Sequence, residues 1–306
     1  MKMRNKFLAL LLAVSMSCSV SACGSADKQT EGKPTTEDSA ADKDNSENQT
    51  DYYAAATEKM KDISSMNSKM LMEIDMDLKA EGETQSMHTS TTVDMSCMYD
   101  PVRIKGTTKM DAGNDTTIEA AVYAEKAEDG SYTMYMNNGS EWQSQTVDAD
   151  MMKQYDAASN MNFYMQDKYN FQDAGSEQLD GKAAHKYTGV ITGDDIRELI
   201  MSTGTLNSLN SLDLDESQFE TILKDVGEQT ITLWIDEAEL YPLKYEMDMT
   251  SMMNALMAGL IEASGEEAEG FSIEFPKVNL VMTCSDFNAV SEFEIPEEAK
   301  AATPME

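Results

Sequence analysis

The chain has 306 residues, 41% of them hydrophobic, with 23 basic residues against 56 acidic ones. A formal charge of −33 excludes nucleic acid as a partner, because nothing would offset phosphate repulsion, and an anionic lipid surface would repel the body in the same way. The sequence shows no Gly-rich phosphate loop, zinc spacing or Cys–His pairing, so no enzyme class and no cofactor or metal is expected from its motifs.

The chain opens with Lys2, Arg4 and Lys6, then an uncharged apolar run from Phe7 to Val14, then Val20-Ser21-Ala22 leading into Cys23. A basic start, a short apolar middle and a small-residue cut site make an export signal, and the apolar run is too short to span a bilayer. Val20 and Ala22 would also suit an ordinary signal peptidase. With Cys23 next, however, the site resembles the lipobox of bacterial lipoproteins, whose cysteine receives diacylglycerol and becomes the new N-terminus. That resemblance implies an extracytoplasmic protein anchored to the cell membrane through Cys23. Two or three acyl chains hold stably, at about 0.8 kcal/mol per buried CH2. Loss of residues 1–22 removes three basic residues and no acidic ones, leaving 20 against 56. Cys97 and Cys284 remain in strand-like text, where a disulfide and two buried thiols read alike.

Gly24 to Thr50 has no aromatic or branched aliphatic residue and is expected to be a disordered tether. Tyr52 to Asn67 reads as a helix, with Tyr53, Ala56, Met60 and Ile63 at helical spacing. Met70, Met72, Ile74, Met76 and Leu78 then alternate with a mostly charged set, predicting a strand with one buried face. Further strands are predicted over 85–99, 102–110, 116–126, 131–137 and 141–147, separated by Asp-Pro, Asp-Gly and Asn-Gly turns, which makes an antiparallel meander. A helix over 148–160 comes next, then strands over 169–178 and 184–191 around Asp180-Gly181. Helices are predicted over 194–202 and 215–226, strands over 230–235 and 241–249, an amphipathic helix over 251–263 and a last strand over 271–285. After Ile295-Pro296 the chain is expected to trail away.

About 250 residues of such text make one domain, 51–300, more easily than two. Its order of motifs resembles the lipoprotein-carrier superfamily, which includes the periplasmic lipoprotein chaperone LolA and the mycobacterial LppX/LprG-type lipoproteins. The resemblance rests on the lipobox and tether, the opening helix running into Lys69–Lys79, Glu141-Trp142, Asp180-Gly181-Lys182, and Thr232-Leu-Trp-Ile-Asp236 with Tyr241-Pro242-Leu243-Lys244. Ser285-Asp-Phe-Asn288 with Ile295-Pro296-Glu-Glu-Ala299 completes it. It implies an α+β fold, a single antiparallel curved sheet (a LolA-like half-open barrel) with helices packed on the concave face over an apolar cavity for acyl chains. The helical insertions over 194–226 and 251–265 are longer than that pattern.

Methionine is the compositional oddity, at 26 residues. It is unbranched and polarizable, so it suits either a pliable cavity or an ordinary core in which it replaces Leu and Val. The candidate cavity residues are Met70, Met72, Ile74, Met134, Met136, Met247 and Met249 on strands, with Met257 and Leu260 on the 251–263 helix as part of a lid. His88 and His185 stand outside any Met-x-x-Met context for copper, and His185 has no nucleophile elbow beside it. Asp111, Asn114 and Asp115 read as a turn rather than a calcium loop, and Trp142 and Trp234 as packed aromatics. The expected task is non-catalytic binding of a lipid or the acyl chain of another lipoprotein by a monomer. The alternative is an envelope or sensor module with a filled core that recognises a protein or glycan.

Overall fold

A computed structural model of the chain describes residues 51–80, 82–113, 116–127, 129–147, 165–202, 226–264 and 271–304. Helix α1 (Tyr52–Met60) leads into β1 (Ser65–Ala80), β2 (Glu83–Tyr99), β3 (Val102–Asp111), β4 (Thr117–Lys126), β5 (Tyr132–Asn137) and β6 (Trp142–Val147). A 3-10 turn (Asp167–Tyr169) precedes β7 (Gln172–Leu179), β8 (Lys182–Ile191), α2 (Gly193–Ser202), β9 (Gln229–Asp236) and β10 (Pro242–Asp248). Then come α3 (Thr250–Ser264), β11 (Phe271–Ser285), α4 (Glu297–Lys300) and β12 (Thr303–Pro304).

The strands form one sheet in the order β12-β6-β5-β4-β3-β2-β1-β11-β10-β9-β8-β7. It curves without closing, a half-open barrel with helices on its concave side. Every pairing is antiparallel except the short one between β12 and β6. Period-two alternation explains the two faces: on β1, Met72, Ile74 and Met76 are buried while Lys69, Glu73 and Asp75 face outward. The hairpin between β7 and β8 turns at Asp180-Gly181, both at positive φ (51° and 84°), as a mirror-image two-residue turn requires.

Several boundaries differ from the sequence expectation for physical reasons. The first helix ends at Met60 rather than at residue 67, because strand pairing claims the residues from Ser65 onward. Tyr99 donates its N–H to Ser64 O at 2.9 Å, and Ser65 pairs with Met98. The strand expected from residue 169 starts at Gln172, since Asn170 takes a left-handed conformation. Phe171 and the Tyr169 carbonyl lie over Gly189 so closely that a Cβ there would fall 2.9 Å from the Phe171 ring. The helices expected over 148–160 and 215–226 lie outside the described residues except for Val226, which is buried in the core.

The largest correction is at the C-terminus. The chain does not trail away after Ile295-Pro296 but runs as a strap across the convex face. Arg103 stacks over Phe293, Ile295 and Ala299 bury themselves against Tyr135, and Tyr123 and Trp142 pack around them. Then β12 adds a parallel rung to β6. Tyr135 and Trp142 thus belong to a small second core on the outer side of the sheet.

Candidate functional site

Cross-strand register fixes the chemistry of the concave face. Met72 faces Leu280 of β11 on one side and Thr91 of β2 on the other, and Ile74 faces Val278. Leu280 in turn faces Met247, which faces Ile231. Across the other half of the sheet the row runs from Cys97 to Ile104, Ala124 and Met134. Apart from the buried Thr91, these residues form one continuous apolar cluster, and eleven of its 32 buried members are methionine. A cluster so rich in an unbranched, polarizable side chain can adapt to irregular apolar shapes.

All eight described candidate strand and helix residues join this cluster. Met72, Ile74, Met134, Met247, Met249 and Met257 are buried, and Met70 and Met136 are half-buried against it. The side chain of Leu260, and Cys23 with the signal and tether, lie outside the described residues. Sequence reasoning missed Tyr169, Tyr187, Tyr245 and Phe275, which fill the same cluster. Strand alternation with Ile191, Met247 and Ile273, respectively, was the available signal for the last three.

Helix α3 is tied to the sheet by its own polar side chains. Between Asp75–Asp77 of β1 and Glu274–Lys277 of β11 the register shifts, a bulge that also accommodates Pro276 with its missing N–H. Beside it Asn254 donates to Phe275 O at 2.9 Å and accepts from Phe275 N at 2.9 Å. Thr250 accepts from Val278 N at 2.9 Å, and Met249 N donates to Val278 O at 2.8 Å. Where β10 ends, α3 therefore continues its hydrogen bonding to the β11 edge, and Met257 is left only 2% exposed.

At the far end of the sheet β7 and β8 bring His185 beside Ser176, so a hydroxyl does stand near this histidine. Ser176 Oγ lies 3.2 Å from His185 Nδ1, and Asp173 Oδ1 lies 3.0 Å from Nε2. The serine hydroxyl donates to Glu237, so its proton is committed to a carboxylate rather than offered to the imidazole. The Asp173 carboxyl is held below the usual range, first by the Gly175 N–H and then by His185. Tyr52 of α1 stacks on the imidazole at 4.8 Å, so the cluster fastens the first helix to the sheet edge. Burial, with Asp167 nearby, pushes the neighbouring Tyr53 hydroxyl up.

Cys97 and Cys284 are both buried thiols, not a disulfide, and burial pushes the Cys284 thiol up. On the convex side His88 Nδ1 meets Asp75 at 2.7 Å. Trp234 also faces outward, its indole N–H donated to Glu177, with Lys244 Nζ 4.5 Å and Lys186 Nζ 5.2 Å from its ring centre. Of the calcium-turn residues, Asp111 caps the Gly113 N–H, while Asn114 and Asp115 lie outside the described residues. Among the described residues no group of three or more His, Cys, Asp or Glu side chains is placed to hold a metal ion, and no helix is long and apolar enough to cross a membrane.

The class defined by these features is an α+β half-open barrel with an apolar, methionine-rich concave face. The chain belongs to the DUF6612 family, a family of unknown function, whose model matches residues 48–304. No curated protein matches the sequence significantly. Among solved structures it is similar to LprF from Mycobacterium bovis, at 14% identity and a TM-score of 0.45, over 80% of this chain and 95% of that one. It is also similar to the lipoprotein LppX of Mycobacterium tuberculosis, at 11% identity and a TM-score of 0.40, over 79% and 96%. A putative outer membrane lipoprotein-sorting protein domain from Vibrio parahaemolyticus aligns at 13% identity and a TM-score of 0.25, over 81% and 95%.

Proposed function

We propose that this protein is a lipid-anchored extracytoplasmic lipoprotein that holds a hydrophobic or amphiphilic molecule, a lipid or an acyl chain, against its concave face without chemical change. The observation that supports this is the register itself: apolar side chains from β5 across to β9 converge on one methionine-rich face. Affinity there comes from apolar burial, at about 25 cal/mol per Å2 removed from water. A ligand gains only from area that is exposed without it. Met72, at 1% exposed, offers almost none, so the half-buried Met70 and Met136, together with Met87 and Met95, are the contact residues, and α3 with Met257 is a fixed wall rather than a moving lid.

One observation favours a second reading, an envelope module with a filled core: Met253 and Met257 of α3, with Phe275 and Tyr169 of the same cluster, are almost wholly buried. The mature chain with Cys23→Ser, purified gently from a bacterial host and extracted with organic solvent for mass spectrometry, separates the two. One lipid per protein, displaced by a competing amphiphile, supports carriage. A protein that yields no lipid and takes up no fluorescent fatty acid would leave the filled-core module.

A further inference from the structure

Nine half-buried hydrophobic residues on the strands pack against the core, and five of them are methionine: Met70, Met87, Met95, Met136 and Met282. All five lie on the concave face by register. Met70 faces Met282, Met87 faces Met76, Met95 faces Gly106, and Met136 faces Val122. Met98, also half-buried, lies on the opposite face, where it pairs with Ser65. Among these half-buried strand residues the methionine thioethers are the aliphatic groups that a peroxide can attack, and exposure decides which sulfurs react.

We infer that these five methionines are an oxidation site that switches off the concave face. The inference rests on the ligand-binding reading above and adds its regulation. Hydrogen peroxide transfers one oxygen to each sulfur: the O–O bond breaks, an S=O bond forms, the thioether is oxidised to sulfoxide, and the peroxide is reduced to water. The product is polar and chiral where an apolar ligand would lie, and reduction by a methionine sulfoxide reductase reverses it.

The test treats the mature Cys23→Ser chain with graded hydrogen peroxide, maps sulfoxides by peptide mass spectrometry and measures uptake of a dansyl-labelled fatty acid. The expected result is oxidation of the five before Met66, Met72 and Met257, with probe affinity falling about tenfold, since burying an unmatched polar group costs at least that much. Reductase treatment should restore it. Met98→Leu, which removes the half-buried methionine of the opposite face, should bind probe like the parent and lose uptake to peroxide just as the parent does. Untreated protein that binds probe and still binds equally after the five are oxidised overturns this inference alone. Protection of uptake by Met98→Leu, or uptake that stays lost after the five sulfoxides have been reduced, also overturns it. Untreated protein that binds no probe overturns the ligand reading itself.

Discussion

Asn254 is the residue on which the seating of α3 depends, and its replacement by Ala gives a quantitative test. Its side chain makes three hydrogen bonds, to Phe275 N and Phe275 O at 2.9 Å each and to Thr250 O at 3.0 Å, in a half-buried site. Each such bond contributes about 1 kcal/mol net, and a backbone group left unmet beside an apolar helix costs about 1–3 kcal/mol. Alanine orphans both polar groups of Phe275 at the bulge, so the expected loss is about 2–4 kcal/mol. For a domain of this size that lowers Tm by roughly 4–16 °C, at about 2–4 °C per kcal/mol. Thermal unfolding by circular dichroism reads the shift, and hydrogen exchange at the Phe275 amide reads its local origin. Asn254→Asp, which keeps the acceptor but turns a carboxylate toward two carbonyl oxygens, should be at least as damaging at neutral pH. A drop of under about 1 °C with Phe275 protection unchanged would refute the view that α3 is hydrogen-bonded into the sheet.

Met257→Asp introduces a carboxylate at a position 2% exposed, so soluble expression or cooperative unfolding should be lost, whereas a well-folded variant would make α3 a loosely seated cover. Ile295→Ala removes the buried anchor of the C-terminal strap and should cost about 2–4 kcal/mol in urea unfolding; an unchanged midpoint would mean that the strap adds nothing. Burial raises the Asp236 carboxyl, but the Glu239 and Ala238 N–H groups and Lys182 outweigh it and hold the group below the usual range. A depressed folded value stabilises above the unfolded pKa of about 3.9 and is lost as pH falls through the folded value. Asp236→Asn should therefore destabilise at pH 7, with the gap to the parent starting to close below about pH 4 and closing fully only as pH falls through the lower folded value; a gap that does not narrow in acid would count against that linkage.

The strands were legible because period-two burial leaves its mark in every residue: Met72, Ile74 and Met76 could only share a face. Turn chemistry such as Asp180-Gly181 fixed the hairpins for the same local reason. The strap was not legible, because Phe293, Ile295 and Ala299 carry no period of their own and find partners on β4 and β5, more than 150 residues earlier. The α3 anchorage was hidden too. Asn254 reads as a stray polar residue in a helix until the bulge beside Pro276 supplies its partners. Likewise Ser176 meets His185 only through the register of β7 with β8. The apolar face could thus be read from the sequence, while the polar side chains that fasten elements across it could not.

An open sheet of twelve strands has two edges, and unpaired edges invite pairing between copies. Both are blunted here. On β7 the register slips between Asp173 and Ser176, Gly175 sits at φ 83°, and Asp173 and Glu177 bring carboxylates to the edge strand. On the other side β12 is only two residues long and ends in Pro304, which has no N–H to offer. With 56 acidic residues against 20 basic ones after residues 1–22 are removed, charge adds repulsion between any two copies. The mature Cys23→Ser chain should therefore run as a monomer in light scattering at low ionic strength. Added salt screens the repulsion but leaves the edges blunted, so the mass should stay that of one chain from about 0.05 to 1 M, a span over which the screening length falls to about 3 Å. A dimer that grows with salt would show that charge alone kept the copies apart. A dimer already present at low salt would mean that an edge or the concave face is an interface.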